Sequence, residues 1–323
     1  MNSLLQQVEE AILRFTKEHP RAPKDLYAPV DYMLGLGGKR MRPLLVLLSH
    51  GMFSGRTKDA IPAALAMELF HNFTLVHDDI MDKAVLRRSK MTVHKKWNDN
   101  VAILSGDVML VYAYRELEKV GRSYLPQVLE LFNRTAAEVC EGQQLDMDFE
   151  RKNNIRIRDY LQMIELKTAV LLGACLQMGA VIGGAGKKDA EALFGFGKNT
   201  GIAFQLRDDL LDAYGDEKVF GKKKGGDIIA NKKTVLSLIA LQNAGAGERK
   251  KVAGILFSTS VPAREKIEQV LRVYDRLKVK EHTENMMQHY YSFALKHLET
   301  VKVAPRSKKP LLQLASSLLE RKK

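Results

Sequence analysis

The chain has 323 residues, 46% hydrophobic and 28% charged, enough apolar material for a large buried core, and disorder is excluded as the state of the whole chain. Nine prolines, 23 glycines and only two cysteines, Cys140 and Cys175, exclude collagenous, low-complexity and disulfide-scaffold classes. A formal net charge of +13, from 51 Lys+Arg against 38 Asp+Glu, favours polyanionic partners: nucleic acid, an anionic membrane or a phosphorylated small molecule.

The first segment, MNSLLQQVEEAILRF, carries acidic residues at Glu9 and Glu10 and no basic leader or small-residue cleavage site. It reads as an amphipathic helix rather than a signal peptide, so export is not implied and a cytoplasmic location is expected. Along the rest of the chain apolar residues recur at three- and four-residue intervals, as in Leu65/Leu69/Phe73/Val76, and alternating strand runs are scarce. The expected fold class is therefore all-α. Breaks rich in Gly, Pro or charge fall at 19–23, 34–38, 51–58, 122–126, 183–188, 216–231, 244–248 and 303–310, cutting about ten helices of about 12 to 25 residues. No linker is long or polar enough to mark a domain boundary, which predicts a single domain over 1–323. The nearly uncharged run 169–186 is interrupted by five glycines, which predicts a closely packed core helix and no transmembrane segment. Cys140 and Cys175, with no CxxC or Cys/His cluster, read as small buried hydrophobes in a reducing compartment, and Trp97 reads as core.

Chemistry concentrates in five stretches. The first, Leu34 to Pro43, is a Gly-rich turn opening an apolar helix, with Lys39, Arg40 and Arg42 added to free backbone N–H groups; it suits an anion, or is an ordinary loop-to-helix junction. The second is an apolar helical pattern from Glu68 that ends in Asp78, Asp79 and Asp82. Asp78 and Asp82 are about one turn apart and project from one face, where like charges repel unless a cation compensates. Mg²⁺ favours such carboxylates together with substrate phosphates. His71, two turns before Asp78, returns to nearly the same face and could bind phosphate or be a satisfied core residue. The third stretch, Lys83 to Lys96, holds Lys83, Arg87, Arg88, Lys90, Lys95 and Lys96 and no acid, directly after Asp82.

A single DDxxD could be a solvated helix end. The fourth stretch repeats it: Asp208, Asp209 and Asp212 stand at identical spacing on another apolar helix. Two such helices facing each other would hold several divalent ions, and a ligand bridging those ions should be strongly anionic, as a diphosphate is. The fifth, 216–234, is Gly-punctuated and Lys-rich, the composition of a lid over phosphates or of a plain surface loop.

Taken together these motifs resemble the trans-isoprenyl diphosphate synthases, which include farnesyl and geranylgeranyl diphosphate synthases. The resemblance runs from about Val30 to Thr234 through GGKRMRP, DDIMD, the following Arg87-Arg88, GQQLD at 142–146, Lys167-Thr168, FQLRDD, DDLLD, GKKKGGDI and NKKT. It implies one all-α bundle with a deep central cavity, the isoprenoid synthase fold, in a homodimer. It implies Asp78, Asp82 and Asp208 as direct Mg²⁺ ligands, Asp79, Asp209 and Asp212 close behind, and three Mg²⁺ with allylic diphosphate bound. Arg87, Lys167, Lys222 and Lys232 match the residues that hold the allylic diphosphate. Gly38, Lys39, Arg42, His71 and Arg88 match the isopentenyl diphosphate site, and Thr168, Gln205, Gln143 and Asp146 the reacting end. Two positions depart from the family pattern, Met91 where Pro is common and Asn231 where Gly is frequent; neither removes a charged group.

The implied reaction is Mg-dependent head-to-tail condensation of isopentenyl diphosphate with an allylic diphosphate (dimethylallyl, geranyl or farnesyl). Phe70, Phe73 and Thr74, on the helix leading to Asp78, are the candidates for closing the cavity and setting chain length. An aromatic residue five positions before the first Asp and a small one at four resemble enzymes stopping near C20, so geranylgeranyl diphosphate is expected, ahead of farnesyl diphosphate and longer products. A non-catalytic subunit of a heteromeric synthase would have lost aspartates, and a terpene cyclase would not need Lys39, Arg42 and Arg88. No nucleic-acid role is expected, because the basic runs lack interleaved aromatics. The tail 305–323, with six Lys+Arg against one Glu, could be weakly drawn to anionic membrane.

Overall fold

The computed structural model describes residues 2–18, 22–152, 154–215 and 224–319. The fold is all-α. Its helices are α1 (Asn2–Glu18), α2 (Lys24–Gly35), α3 (Met41–His50), α4 (Ile61–Met81), α5 (Val93–Lys96), α6 (Asp99–Leu117), α7 (Leu125–Arg151), α8 (Ile157–Ile164), α9 (Val170–Ile182), α10 (Lys187–Tyr214), α11 (Gly226–Ile229), α12 (Val235–Asn243), α13 (Arg249–Leu256), α14 (Ala263–Arg276), α15 (Val279–Thr300) and α16 (Pro305–Leu319). Among the described residues the strands are β1 (Leu86–Arg87) and β2 (Lys90–Met91), an antiparallel pair in the basic stretch after α4. Spacing alone could not show so short a ladder.

The chain divides into two compact units, each discontinuous in sequence. The first gathers 1–132, 174–191 and 302–311. Its axis is α4, whose start tolerates Pro62 because the first-turn N–H groups need no intrahelical acceptor. Leu65, Met67, Leu69, Phe70 and Val76 bury its flanks, chiefly against α3 and α6. Asn98 caps α6 by accepting from Val101 N at 2.9 Å. Ser49 on α3 donates to the carbonyl of Leu176 at 2.6 Å. A Cβ on Gly179 would stand 2.1 Å from the carbonyl oxygen of Val46, so the backbones meet there with no room for a side chain.

The second unit gathers 133–173, 192–301 and 312–323. Its core combines Phe149, Tyr160, Met163, Leu206, Leu210, Ile239, Val270 and Tyr274. Between α8 and α9 the helix widens to a π turn, Glu165–Ala169, which carries Lys167 and Thr168.

Several sequence expectations are corrected. The helices range more widely in length than periodicity suggests: α7 and α10 have 27 and 28 residues, while α5 and α11 have four. The expected break at 303–310 ends at Ala304, since α16 starts at Pro305 and carries Pro310 within it. The continuous helical stretch Ile157–Ile182 is long and apolar enough to cross a membrane by length and composition, and 67% of its most apolar window is buried inside the protein. The glycines of 169–186 interrupt only its second part, and α8 supplies the extra length. Cys175 is buried as expected, but Cys140 is exposed on α7. Trp97 is half-buried, edge-on to Tyr32 with ring centroids 5.4 Å apart, because α5 ends at the surface.

Candidate active site

In the first unit the Gly-rich turn, α4 and the basic hairpin bring five candidates together. Gly38 has φ 136°, and a Cβ there would lie 2.8 Å from the Arg88 guanidinium, so the absence of a side chain lets Arg88 lie against the turn. In the first turn of α3, Arg42 Nη1 donates to His71 Nε2 at 2.9 Å. A guanidinium has no acceptor, so the imidazole must be neutral with its proton on Nδ1. Burial, and then the charges of Arg42, Arg88, Arg87 and Arg40, hold His71 well below its ordinary pKa. Burial likewise lowers Arg42 and Arg88. Arg42 Nε is buried and has no hydrogen-bond partner, leaving a charged donor for which an anion is the natural acceptor. Lys39, exposed, stands beside Gly38 in the turn.

Arg40 belongs to the same sequence motif but turns inward. It is 4% exposed and donates to Glu68 at 2.7 Å, Glu9 at 2.9 Å and the carbonyl of Leu34 at 2.6 Å. In the motif its charge counts toward the anion, and Glu68 passes unnoticed. An acid alone within the apolar run ALAMELF was the signal for a buried partner.

The first acidic motif closes α4. Asp79 is buried and holds Arg87 through contacts of 2.8 and 3.0 Å to both carboxylate oxygens, while Asp78 is half-buried and Asp82 exposed. Arg87 therefore braces the motif as well as adding charge. The second motif, in the other unit, has the same division. Asp209 is buried and accepts from Tyr160 Oη at 2.5 Å and Gln205 Nε2 at 3.3 Å, while Asp208 and Asp212 are half-buried. Burial raises the Asp209 carboxyl to about 7, opposed by the Tyr160 hydrogen bond and reinforced by Asp227. Burial, followed by Asp209, pushes the Tyr160 phenol well above its usual range. No periodicity argument could have paired Tyr160 with Asp209.

Asp212 fixes the segment that follows the second motif: its Oδ2 accepts from Asp227 N at 2.9 Å and its carbonyl from Gly225 N at 2.7 Å. A small cleft there is lined by Asp209, Asp212, Asp227, Lys232 and Tyr274. Lys232 is exposed, with its ammonium 4.0 Å from Asp227 Oδ1. Lys222 lies outside the described residues, as does most of the lysine-rich loop. Lys167 Nζ donates to Asp146 Oδ2 at 2.7 Å. A Cβ on Gly142 would stand 2.2 Å from Lys167 N, so this glycine of GQQLD admits the π turn against α7. Thr168, Gln143 and Gln205 are half-buried.

Below Asp78 the first unit carries a series of rings. Phe73 lies 4.8 Å from His77 and 5.7 Å from Phe70, and Phe70 meets Phe132 at 5.3 Å, all as centroid distances. Thr74 donates its hydroxyl to the His71 carbonyl at 2.8 Å.

The acidic donors are all carboxylate oxygens. Among the described residues no group of three or more His, Cys, Asp or Glu side chains is gathered to cage a metal alone. Carboxylate oxygens are the donor type that suits Mg²⁺, which keeps waters and takes substrate phosphate into its shell.

Comparison with known proteins agrees with this chemistry. Residues 23–274 match the polyprenyl synthetase family. The chain is 36% identical over 301 residues to the geranylgeranyl diphosphate synthase of Methanosarcina mazei, covering 93% of this chain and 90% of that one. Its fold matches a crystal structure of geranylgeranyl pyrophosphate synthase at TM-score 0.92 and 45% identity, over 99% of both chains. It also matches the Corynebacterium glutamicum geranylgeranyl pyrophosphate synthase complexed with isoprenyl diphosphate and magnesium, at TM-score 0.82 and 28% identity, over 99% of this chain and 97% of that one. With sequence and helical architecture agreeing over so much of its length, the chain belongs to the polyprenyl synthetase family, the trans-isoprenyl diphosphate synthases, and is a prenyltransferase of isoprenoid biosynthesis.

Proposed function

We propose that the chain acts as a single catalytic domain over 1–323, in a cytoplasmic homodimer, and extends dimethylallyl, geranyl and farnesyl diphosphates with isopentenyl diphosphate to geranylgeranyl diphosphate. The observation that carries the substrate reading is the convergence of Arg42, Arg88 and neutral His71 on the Gly38 turn, with a buried Arg42 donor left for an anion. Lys39 adds charge to the same anchor for the isopentenyl diphosphate headgroup.

Asp78, Asp82 and Asp208 are the proposed direct ligands of Mg²⁺, with Asp79, Asp209 and Asp212 behind them. Bound Mg²⁺ supplies charge neutralisation that makes diphosphate a leaving group. Arg87, Lys167, Lys222 and Lys232 hold the allylic diphosphate and stabilise the charge it gains as the C1–O bond breaks. Gln143, Asp146, Thr168 and Gln205 line the reacting end, where Asp146 orients Lys167. The isopentenyl double bond attacks the allylic cation, a C–C bond forms, and the released diphosphate takes the departing proton. Exclusion of water protects the cation. The rings of Phe73 and Phe70, with Thr74 beside them, limit the growing tail, which favours C20 over C15 and over longer products.

The test is to incubate purified protein with Mg²⁺, labelled isopentenyl diphosphate and each allylic starter, and to chromatograph the dephosphorylated products. A C20 product that disappears with EDTA is expected. Accumulation of C15 or of products beyond C20 would replace the product assignment. Inactivity with every starter would favour a non-catalytic subunit.

A further inference from the structure

Within the proposed isopentenyl diphosphate anchor, one arginine is buried against protein acceptors. Arg40 sits in a left-handed backbone conformation, φ 45° and ψ 38°, one residue before α3. Its guanidinium reaches three acceptors from different parts of the first unit: Glu9 on α1, Glu68 on α4 and the Leu34 carbonyl at the end of α2. Burial opposes the charge, and the hydrogen bonds and charges of Glu9 and Glu68 outweigh that opposition, so Arg40 is raised above its ordinary range.

Glu68 matters beyond this pair. It is 3% exposed, one turn before His71 on α4, and its charge acts on Arg42 and on Arg88. Left unmatched, this carboxylate would draw those two guanidinium groups toward itself, because a buried charge finds whatever partner is in reach. It would then compete with a diphosphate for the same donors. Asn72 Nδ2 also donates to Glu68 Oε1 at 3.2 Å, which helps fix the carboxylate where Arg40 meets it.

We propose that Arg40 is a positioning residue for isopentenyl diphosphate: it occupies Glu68, keeping Arg42 and Arg88 available, and with Glu9 ties α1 to the turn that presents Lys39. The inference rests on the isopentenyl diphosphate reading of this turn. Its consequence is that α1, remote in sequence from every acidic motif, contributes to affinity for one substrate and not the other.

The test measures KM for isopentenyl diphosphate and for the allylic starter separately, with Mg²⁺ saturating, in Arg40→Met, Glu68→Met, the double variant, Glu9→Gln and Arg42→Ala. Arg40→Met should raise KM for isopentenyl diphosphate by about tenfold or more while KM for the allylic starter stays within about twofold. Removing Glu68 as well should restore KM to within about threefold of the parent, because the competing acid is gone. Glu9→Gln should raise the same KM by about two- to threefold, a smaller effect because Glu9 is 44% exposed. Both KM values rising together, or a double variant no better than Arg40→Met, would overturn the proposal. If Arg40→Met does not fold, the decision passes to Glu9→Gln: an unchanged KM for isopentenyl diphosphate overturns the proposal. Arg42→Ala separates the two readings. If it leaves that KM unchanged, the anion site itself is misassigned, whereas a rise there with Arg40 silent sinks only the positioning role.

Discussion

His71 shows how one side chain can report its surroundings. It is held neutral by burial and by four arginines, so its folded pKa lies well below 6.5. Below pH 6.5 the unfolded chain therefore binds a proton that the folded chain refuses, and stability falls as pH falls. His71→Gln removes this dependence. Relative to the variant, the parent should lose about 1 kcal/mol between pH 6.5 and 5.5 and change little above pH 7.5, as read from urea unfolding. Parallel pH profiles would mean that the fold does not lower the imidazole's pKa, and a parent that gains stability as pH falls would mean that the imidazole is charged in the fold; either outcome would show that its contact with Arg42 has been misread. The aspartates of one motif should also separate. Asp79 is buried against Arg87, so Asp79→Asn should cost about 3 kcal/mol of stability, whereas Asp82→Asn at the exposed position should stay within about 0.5 kcal/mol. Both should lower kcat by about 100-fold or more. Equal stability losses would contradict this division of labour.

At the scale of elements, α4 joins the two chemical ends of the first unit. Its Glu68 and His71 stand at the anion turn, its rings at Phe70 and Phe73, and its aspartates at the C-terminal end. One turn of rise, about 5.4 Å, is comparable to the length of an isoprene unit, so a ring near Asp78 can act as a stop. Phe73→Ala removes the phenyl ring nearer the motif while Phe70, packed on Phe132, remains. Products longer than C20 are expected on reversed-phase chromatography, and an unchanged length would show that Phe73 does not close the cavity. In the second unit the π turn does comparable work, setting Lys167 toward Asp146, and Gly142 makes room for its backbone.

For the whole molecule, a basic chain with exposed and half-buried aspartates should gain stability when cation and diphosphate bind together, since each offsets the charge of the other's site. Thermal unfolding should shift upward with Mg²⁺ plus inorganic diphosphate, by the equivalent of about 2.7 kcal/mol at a hundredfold excess over Kd, and much less with either alone. Equal shifts from Mg²⁺ alone would place the cation in a preformed cage and not in one completed by phosphate.

The all-α class, the acidic motifs and the basic turn were legible in the sequence because each depends on residues within a few turns of one another. A 3.6-residue period, two repeats of Asp-Asp-x-x-Asp and a Gly-Gly-Lys-Arg run carry their meaning locally, and the family followed from them. What each charge does depended on contacts between residues far apart in the chain. By charge alone Arg40 and Arg42 are alike, and the resemblance sets Arg42 apart without saying what Arg40 does; in the fold Arg40 is spent on Glu68 and Glu9 while Arg42 meets His71. Asp209 is buried and accepts from Tyr160, 49 positions earlier, whereas Asp208 beside it is half-buried, and no spacing rule shows either. Local spacing is written in sequence; whether a buried charge is matched is decided only when distant segments pack, because the cost of desolvation depends on every neighbour at once.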